Sequence, residues 1–155
     1  MAVRKETIKQ QFVEALPAVL EPGEQVQTGA FLVSGPSPMW VAGIFGLIGI
    51  LLFKVRNYYL AVTDRRVIFY AASFWASRPK ALAWADPRGS VSISDVVTDA
   101  KLWNRMLFSR PGAEKPLRLN VHAFWREEMK AVVSTLSAPA QSGSPPPPPP
   151  PMPAQ

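Results

Sequence analysis

Polar and apolar positions along this chain follow two rhythms, interrupted by one stretch that has neither. Over residues 2–16 (AVRKETIKQQFVEAL), Ile8, Phe12, Ala15, Leu16 and Val19 recur every three or four positions, with Lys5, Lys9 and Glu14 elsewhere on the wheel. That spacing predicts a short amphipathic helix whose apolar face covers a core edge. Glu21-Pro22-Gly23-Glu24 then stops it. Beyond this turn the period becomes two. Residues 24–33 predict a strand with Val26, Ala30 and Leu32 on one face. Residues 57–63 and 66–74, rich in Tyr, Val, Ile and Phe, predict a hairpin across Thr63-Asp64-Arg65-Arg66, where Asp and Thr can bond their own backbone. Shorter strands follow. One covers 81–85 and ends in Asp86-Pro87-Arg88-Gly89, a type I turn by its Pro and Gly positions. Another carries Val91, Ile93 and Val96, and a third covers 102–109. The seventh alternates Leu117, Leu119 and Val121 with Arg118 and Asn120, as a half-buried strand should. Trp125, Met129, Val132, Val133 and Leu136 then stripe a helix over about 123–136.

Seven strands closed by one amphipathic helix give an α+β chain, and three segments carry a family likeness. They are Leu20-Glu21-Pro22-Gly23-Glu24, the hairpin Tyr59-Leu60-Ala61-Val62-Thr63-Asp64-Arg65-Arg66-Val67-Ile68-Phe69, and Trp125-Arg126-Glu127-Glu128. On these the chain resembles bacterial PH-like domains of the pleckstrin-homology superfold. The resemblance implies a seven-stranded antiparallel barrel with a C-terminal helix over residues 20–136, preceded by a helix in 1–19 and followed by a tail, 137–155. These segments specify turns and strands and no chemistry.

The exceptional stretch is Met39–Phe53 (MWVAGIFGLIGILLF), between the first two strands. No charged residue occurs between Glu24 and Lys54. As a helix its 15 residues reach about 22 Å, short of the ~30 Å hydrocarbon core. Three readings stand: a loop or helix entering one leaflet, a full crossing, and a soluble core or dimer contact. A full crossing would separate strands that a PH-like barrel must pair. Gly43, Gly46 and Gly49 suit a bent or closely packed backbone, and Trp40 at one end with Tyr58 and Tyr59 at the other suits an interface. The leading reading is partial insertion through Met39, Trp40, Ile44, Phe45, Leu47, Ile48, Ile50, Leu51, Leu52 and Phe53, with Lys54, Arg56, Arg65 and Arg66 meeting lipid headgroups.

Charge supports that direction. Residues 1–38 hold three basic and four acidic side chains, whereas 54–118 hold twelve and five, within a net charge of +6. The basic excess begins where the apolar run ends, which favours an anionic surface. In the phosphoinositide pattern that the resemblance brings to mind, a Lys ends the first strand; here Ser34-Gly35 stand there, which leaves general headgroup affinity.

Little points to catalysis. There is no cysteine, so no disulfide or thiolate metal site, and His122 is the single histidine. Asp86, Asp95 and Asp99 lack metal-ligand spacing, and no nucleotide loop or hydrolase motif occurs. No cofactor is expected. Tyr58, Tyr59, Trp75, Trp84 and Trp103 could stack nucleic-acid bases, but aromatics at strand parity more often fill a core. The charged N-terminal MAVRKETIKQQF does not resemble an export signal. Pro145–Pro151 is an unbroken polyproline II run, expected to act as a spacer. The expected function is a non-enzymatic binding or adaptor module on the cytoplasmic face of the cell membrane, with a possible protein partner or homodimer. The alternative is a soluble homo-oligomeric interaction module using 39–53 as core or subunit interface. Nucleic-acid binding ranks below both.

Overall fold

The computed structural model describes residues 2–37, 41, 43, 44, 46, 55–73 and 77–138. Helix α1 (Ala2–Ala15) runs into a 3-10 turn at Leu16–Ala18. Seven strands follow: β1 (Val26–Ser34), β2 (Arg56–Thr63), β3 (Arg66–Ala72), β4 (Pro79–Pro87), β5 (Ser92–Val97), β6 (Trp103–Ser109) and β7 (Leu117–His122). A 3-10 turn (Ala123–Trp125) leads into the closing helix α2 (Arg126–Ser137).

All neighbouring strands pair antiparallel in the order β4-β3-β2-β1-β7-β6-β5. This order, with a helix on either side of the strand series, is consistent with a PH-like α+β fold. The sheet is open where a closed barrel was expected, because β4 and β5 are its two edges. Strand β1 pairs with β2 along most of its length, but with β7 only at Val33–Asn120 and Ser34–Leu119. Buried Met129 and Val132 of α2 join the core with Met106, Phe108, Leu119 and Val121.

Strand β2 shows no alternation: every residue from Asn57 to Thr63 is buried. One face carries Tyr58, Leu60 and Val62 toward the core, and Phe69 of β3 meets Phe108 of β6 with ring centroids 4.9 Å apart. The other face is covered by α1. Phe12 is fully buried and its ring stacks on Tyr59 at 4.3 Å and 10°. Ile8 and Leu16 join it in the core, so the predicted apolar stripe of this helix is the one that packs.

Three expectations need correcting. Val26, set on one face with Ala30 and Leu32, is exposed, as is Val96 of β5. The register shifts between Val26 and Thr28, and again between Ser94 and Val97, where Asp95 has φ 46°; an irregularity of this kind changes which face a residue meets. The segment after Asp86 is a 3-10 turn (Arg88–Ser90), with Arg88 buried and bonded to the Gln27 side chain and the Thr135 carbonyl. Asn120, expected on the solvent side of β7, is buried, and its amide donates to the carbonyls of Gly35 (2.8 Å) and Val33 (3.4 Å).

Candidate functional site

The paired ends of β1 and β2 define the place where the apolar run leaves the fold. Ser34 stands opposite Arg56 in the ladder. The chain therefore departs and returns at neighbouring points on one sheet end, and a single crossing of a bilayer between them is excluded. Of the residues proposed to insert, Ile44 alone is described; it is helical and more than half exposed. Val41, also helical, is buried, and its N–H donates to the Ser37 carbonyl at 3.1 Å. Met39, Trp40, Phe45, Leu47, Ile48, Ile50, Leu51, Leu52 and Phe53 lie outside the described residues, as do Lys54, Trp75 and the proline run.

Four basic residues gather at this sheet end. Arg56 starts β2. Lys80 follows Pro79, which pairs with Ala72, itself the partner of Asn57, and Arg78 precedes it. On the other side, the Arg118 carbonyl accepts from the Gly35 N–H at 3.1 Å. Arg56, Arg78, Lys80 and Arg118 are all exposed, and none has a carboxylate partner among the described residues. Arg56 and Lys80 line a cleft of about 480 Å³ together with Tyr58, Ala71 and Trp84.

Arg65 and Arg66 stand at the opposite end of β2, roughly 24 Å away at the usual rise per strand residue. They do not share a patch with Arg56. Arg66 is held by buried Glu24, with Nη2 to Oε2 at 2.5 Å and Nε to Oε1 at 3.0 Å, and it also donates to the Val19 carbonyl at 3.2 Å. The Thr63 hydroxyl donates to Glu24 Oε1 at 2.7 Å. Burial pushes the Glu24 carboxyl up, but bonds from Arg66, the Glu21 backbone N–H and Thr63 outweigh it and bring the pKa to about 2. Arg65 is half exposed and lies near Glu21 and Asp64 at 3.9 and 3.7 Å. This end is a clasp tying the turn before β1 to the β2–β3 hairpin.

A second cleft, about 330 Å³, opens between α1, β1 and the start of α2. Phe31, Trp103, His122, Phe124 and Trp125 line it, with Lys5 among them. Trp103 meets His122 edge-on at 5.1 Å, and Phe124 is half exposed. Lys5 and Lys9 both bind Glu128 of α2 at 2.7 Å, and Lys5 Nζ is 5.3 Å from the Trp125 ring centre. Burial pushes Glu128 up, yet its hydrogen bonds from the two lysines leave it below its ordinary value. The same bond holds Lys9 above its own. Burial lowers His122, whose Nδ1 accepts from the Phe124 N–H at 3.3 Å; the neutral ring then carries its proton on Nε2.

Of the aromatics considered as base-stacking platforms, Tyr58 and Tyr59 are buried and Trp84 packs on Phe69 at 4.8 Å, whereas Trp103 borders this cleft. Among the described residues no group of three or more potential metal ligands occurs, and no helix is long and apolar enough to cross a membrane. The sequence reading missed Arg78, Lys80 and Arg118 because the Arg78–Lys80 pair and Arg118 lie far along the chain from Arg56 and from each other; their positions beside strand ends were the available signal.

No protein-family model matches the chain, and no curated protein matches it. Among solved structures, the hSac2 domain from human phosphoinositide phosphatase Sac2 is similar over 85% of this chain and 79% of that one, at 8% identity and a TM-score of 0.48. A likeness at that level carries no argument about chemistry or ligand.

Proposed function

We propose that the chain is a non-enzymatic PH-like module that docks on an anionic membrane by the β1–β2 end of its sheet. The observation that carries this reading is the shared location of two features. An uncharged run leaves the fold at Ser34 and Arg56, where Arg56, Arg78, Lys80 and Arg118 stand without acidic partners. A basic side chain near an anionic leaflet contributes about 1 kcal/mol. Trp40 and the aliphatic residues between Met39 and Phe53 add apolar burial, and Lys54 extends the basic belt. With both ends of the run anchored to one sheet end, it enters a single leaflet and returns. In this reading the sheet lies on the cytoplasmic side, which the anionic leaflet faces. Arg65 and Arg66, part of the headgroup set in the sequence reading, are replaced in this proposal by Arg78, Lys80 and Arg118.

Flotation with anionic and neutral vesicles, followed by salt and carbonate washing, tests the proposal. Binding that needs anionic lipid and survives high salt is the expected result. A chain lacking residues 39–53 should bind weakly and be released by salt. A lipid-independent homodimer that ignores vesicles would replace this reading with the subunit-interface alternative.

A further inference from the structure

Two features have no part in membrane docking: the aromatic cleft at the start of α2, and the proline run beyond its end. We propose that Pro145–Pro151 folds back along α2 and docks in the cleft formed by Phe31, Trp103, His122, Phe124 and Trp125 of the same chain.

Chemistry matches first. Seven consecutive prolines have no N–H and present only ring faces and carbonyl oxygens, in a helix that is extended before it binds. Aromatic-lined grooves take such segments because little ordering entropy is lost and the rings pack face to face. The cleft supplies rings from β1, β6, the end of β7 and the 3-10 turn. It also supplies donors. With Nδ1 engaged by the Phe124 N–H, the neutral His122 ring offers Nε2–H. The Trp103 indole N–H has no hydrogen-bond partner among the described residues. A segment that carries only acceptors is the complement of these two groups. Neither Arg nor Lys flanks the run within 137–155, so no acidic partner is required.

Reach matches second. The twelve residues of α2 extend about 18 Å. Trp125, at its N-terminus, lines the cleft. Residues 138–144 (APAQSGS) contain seven positions, enough for about 22 Å of extended chain. Pro145 therefore arrives at the cleft when the tail turns back antiparallel to the helix.

The absence of cysteine gives a clean test, since Met152→Cys accepts a single nitroxide label. In the full-length chain in micelles, the indole N–H signals of Trp103 and Trp125 should lose intensity when the label is oxidised and recover when it is reduced. Replacing Pro145–Pro151 with alternating Gly and Ser should abolish the loss, and so should Phe124→Ala, whose half-exposed ring can be removed without opening the core. If Phe124→Ala disturbs the fold, the tail replacement still decides. Undiminished Trp103 and Trp125 signals, or losses that persist with the Gly-Ser tail, overturn the proposal. So do losses that appear when labelled chains are mixed with separate isotope-enriched chains, because the tail would then come from another copy.

Discussion

Gly29 lies directly under the Tyr59 ring: a Cβ at this position would fall 2.8 Å from the Tyr59 hydroxyl and 2.9 Å from its Cε1. The Leu60 carbonyl, part of the backbone, is also 2.9 Å away. A side chain cannot enter without moving the ring on which Phe12 stacks. Gly29→Ala is expected to destabilise the fold by about 1–3 kcal/mol, the usual range for overpacking. Chemical denaturation measures the loss, and faster amide exchange confined to α1 would show that the helix has loosened from the sheet.

Phe12 is the anchor of α1. Its ring also meets Tyr70 edge-on at 6.0 Å and Phe31 at 6.5 Å, and none of it reaches solvent. Phe12→Ala should cost about 3–5 kcal/mol. Tyr59 reports on the same contact. Burial and the nearby Glu128 charge push its phenol up to about 12. Absorbance titration should show Tyr59 ionising near 12 in the native chain and within the ordinary range near 10 in Phe12→Ala.

The Glu24 clasp makes stability depend on acid. Its carboxyl falls from an ordinary 4.5 to about 2 on folding. A lowered folded-state pKa stabilises above the unfolded value and loses that contribution as pH falls through the folded one. The loss is therefore expected between about pH 4.5 and 2, amounting to roughly 3 kcal/mol. Glu24→Gln should be destabilised near neutral pH by about 2–4 kcal/mol, since Arg66 loses its main partner. Its unfolding free energy should be flatter across the same acid range. Urea titrations at several pH values give both quantities.

The two ends of β2 should respond differently to charge reversal. Arg56→Glu, Lys80→Glu and Arg118→Glu are each expected to weaken binding to anionic vesicles by about ten- to thirty-fold, following about 1 kcal/mol per charge. Arg65→Glu, on the clasp side, should change it by less than about threefold. The effect of the first three should shrink as salt is raised, because exposed charges are screened. Equal effects at both ends would contradict the docking geometry.

Much of the architecture could be read before the structure. The helical stripe of Ile8, Phe12 and Leu16 packs as its spacing requires, and the β2–β3 hairpin closes at Asp64 and Arg65. Alternation failed where a second layer covers the sheet: β2 is buried on both faces because α1 lies over it. Val26 escaped its predicted face because a register shift leaves no trace in a two-residue period. The site was half visible. The apolar run announces itself in composition, but Arg118 meets the Arg56 end only through the β1–β7 pairing, which joins residues more than eighty positions apart. Local sequence placed Arg65 and Arg66 in the same group, and the length of one strand separates them.

The Ser34–Arg56 pairing makes the greasy excursion a detachable tab. Its two roots adjoin, so a short connection can bridge them. A short reverse turn grafted across that gap should yield a truncated scaffold whose strands register as before. Along the same seam, excursions of other lengths and compositions could be spliced in, turning a fixed body to different surfaces without reworking its interior.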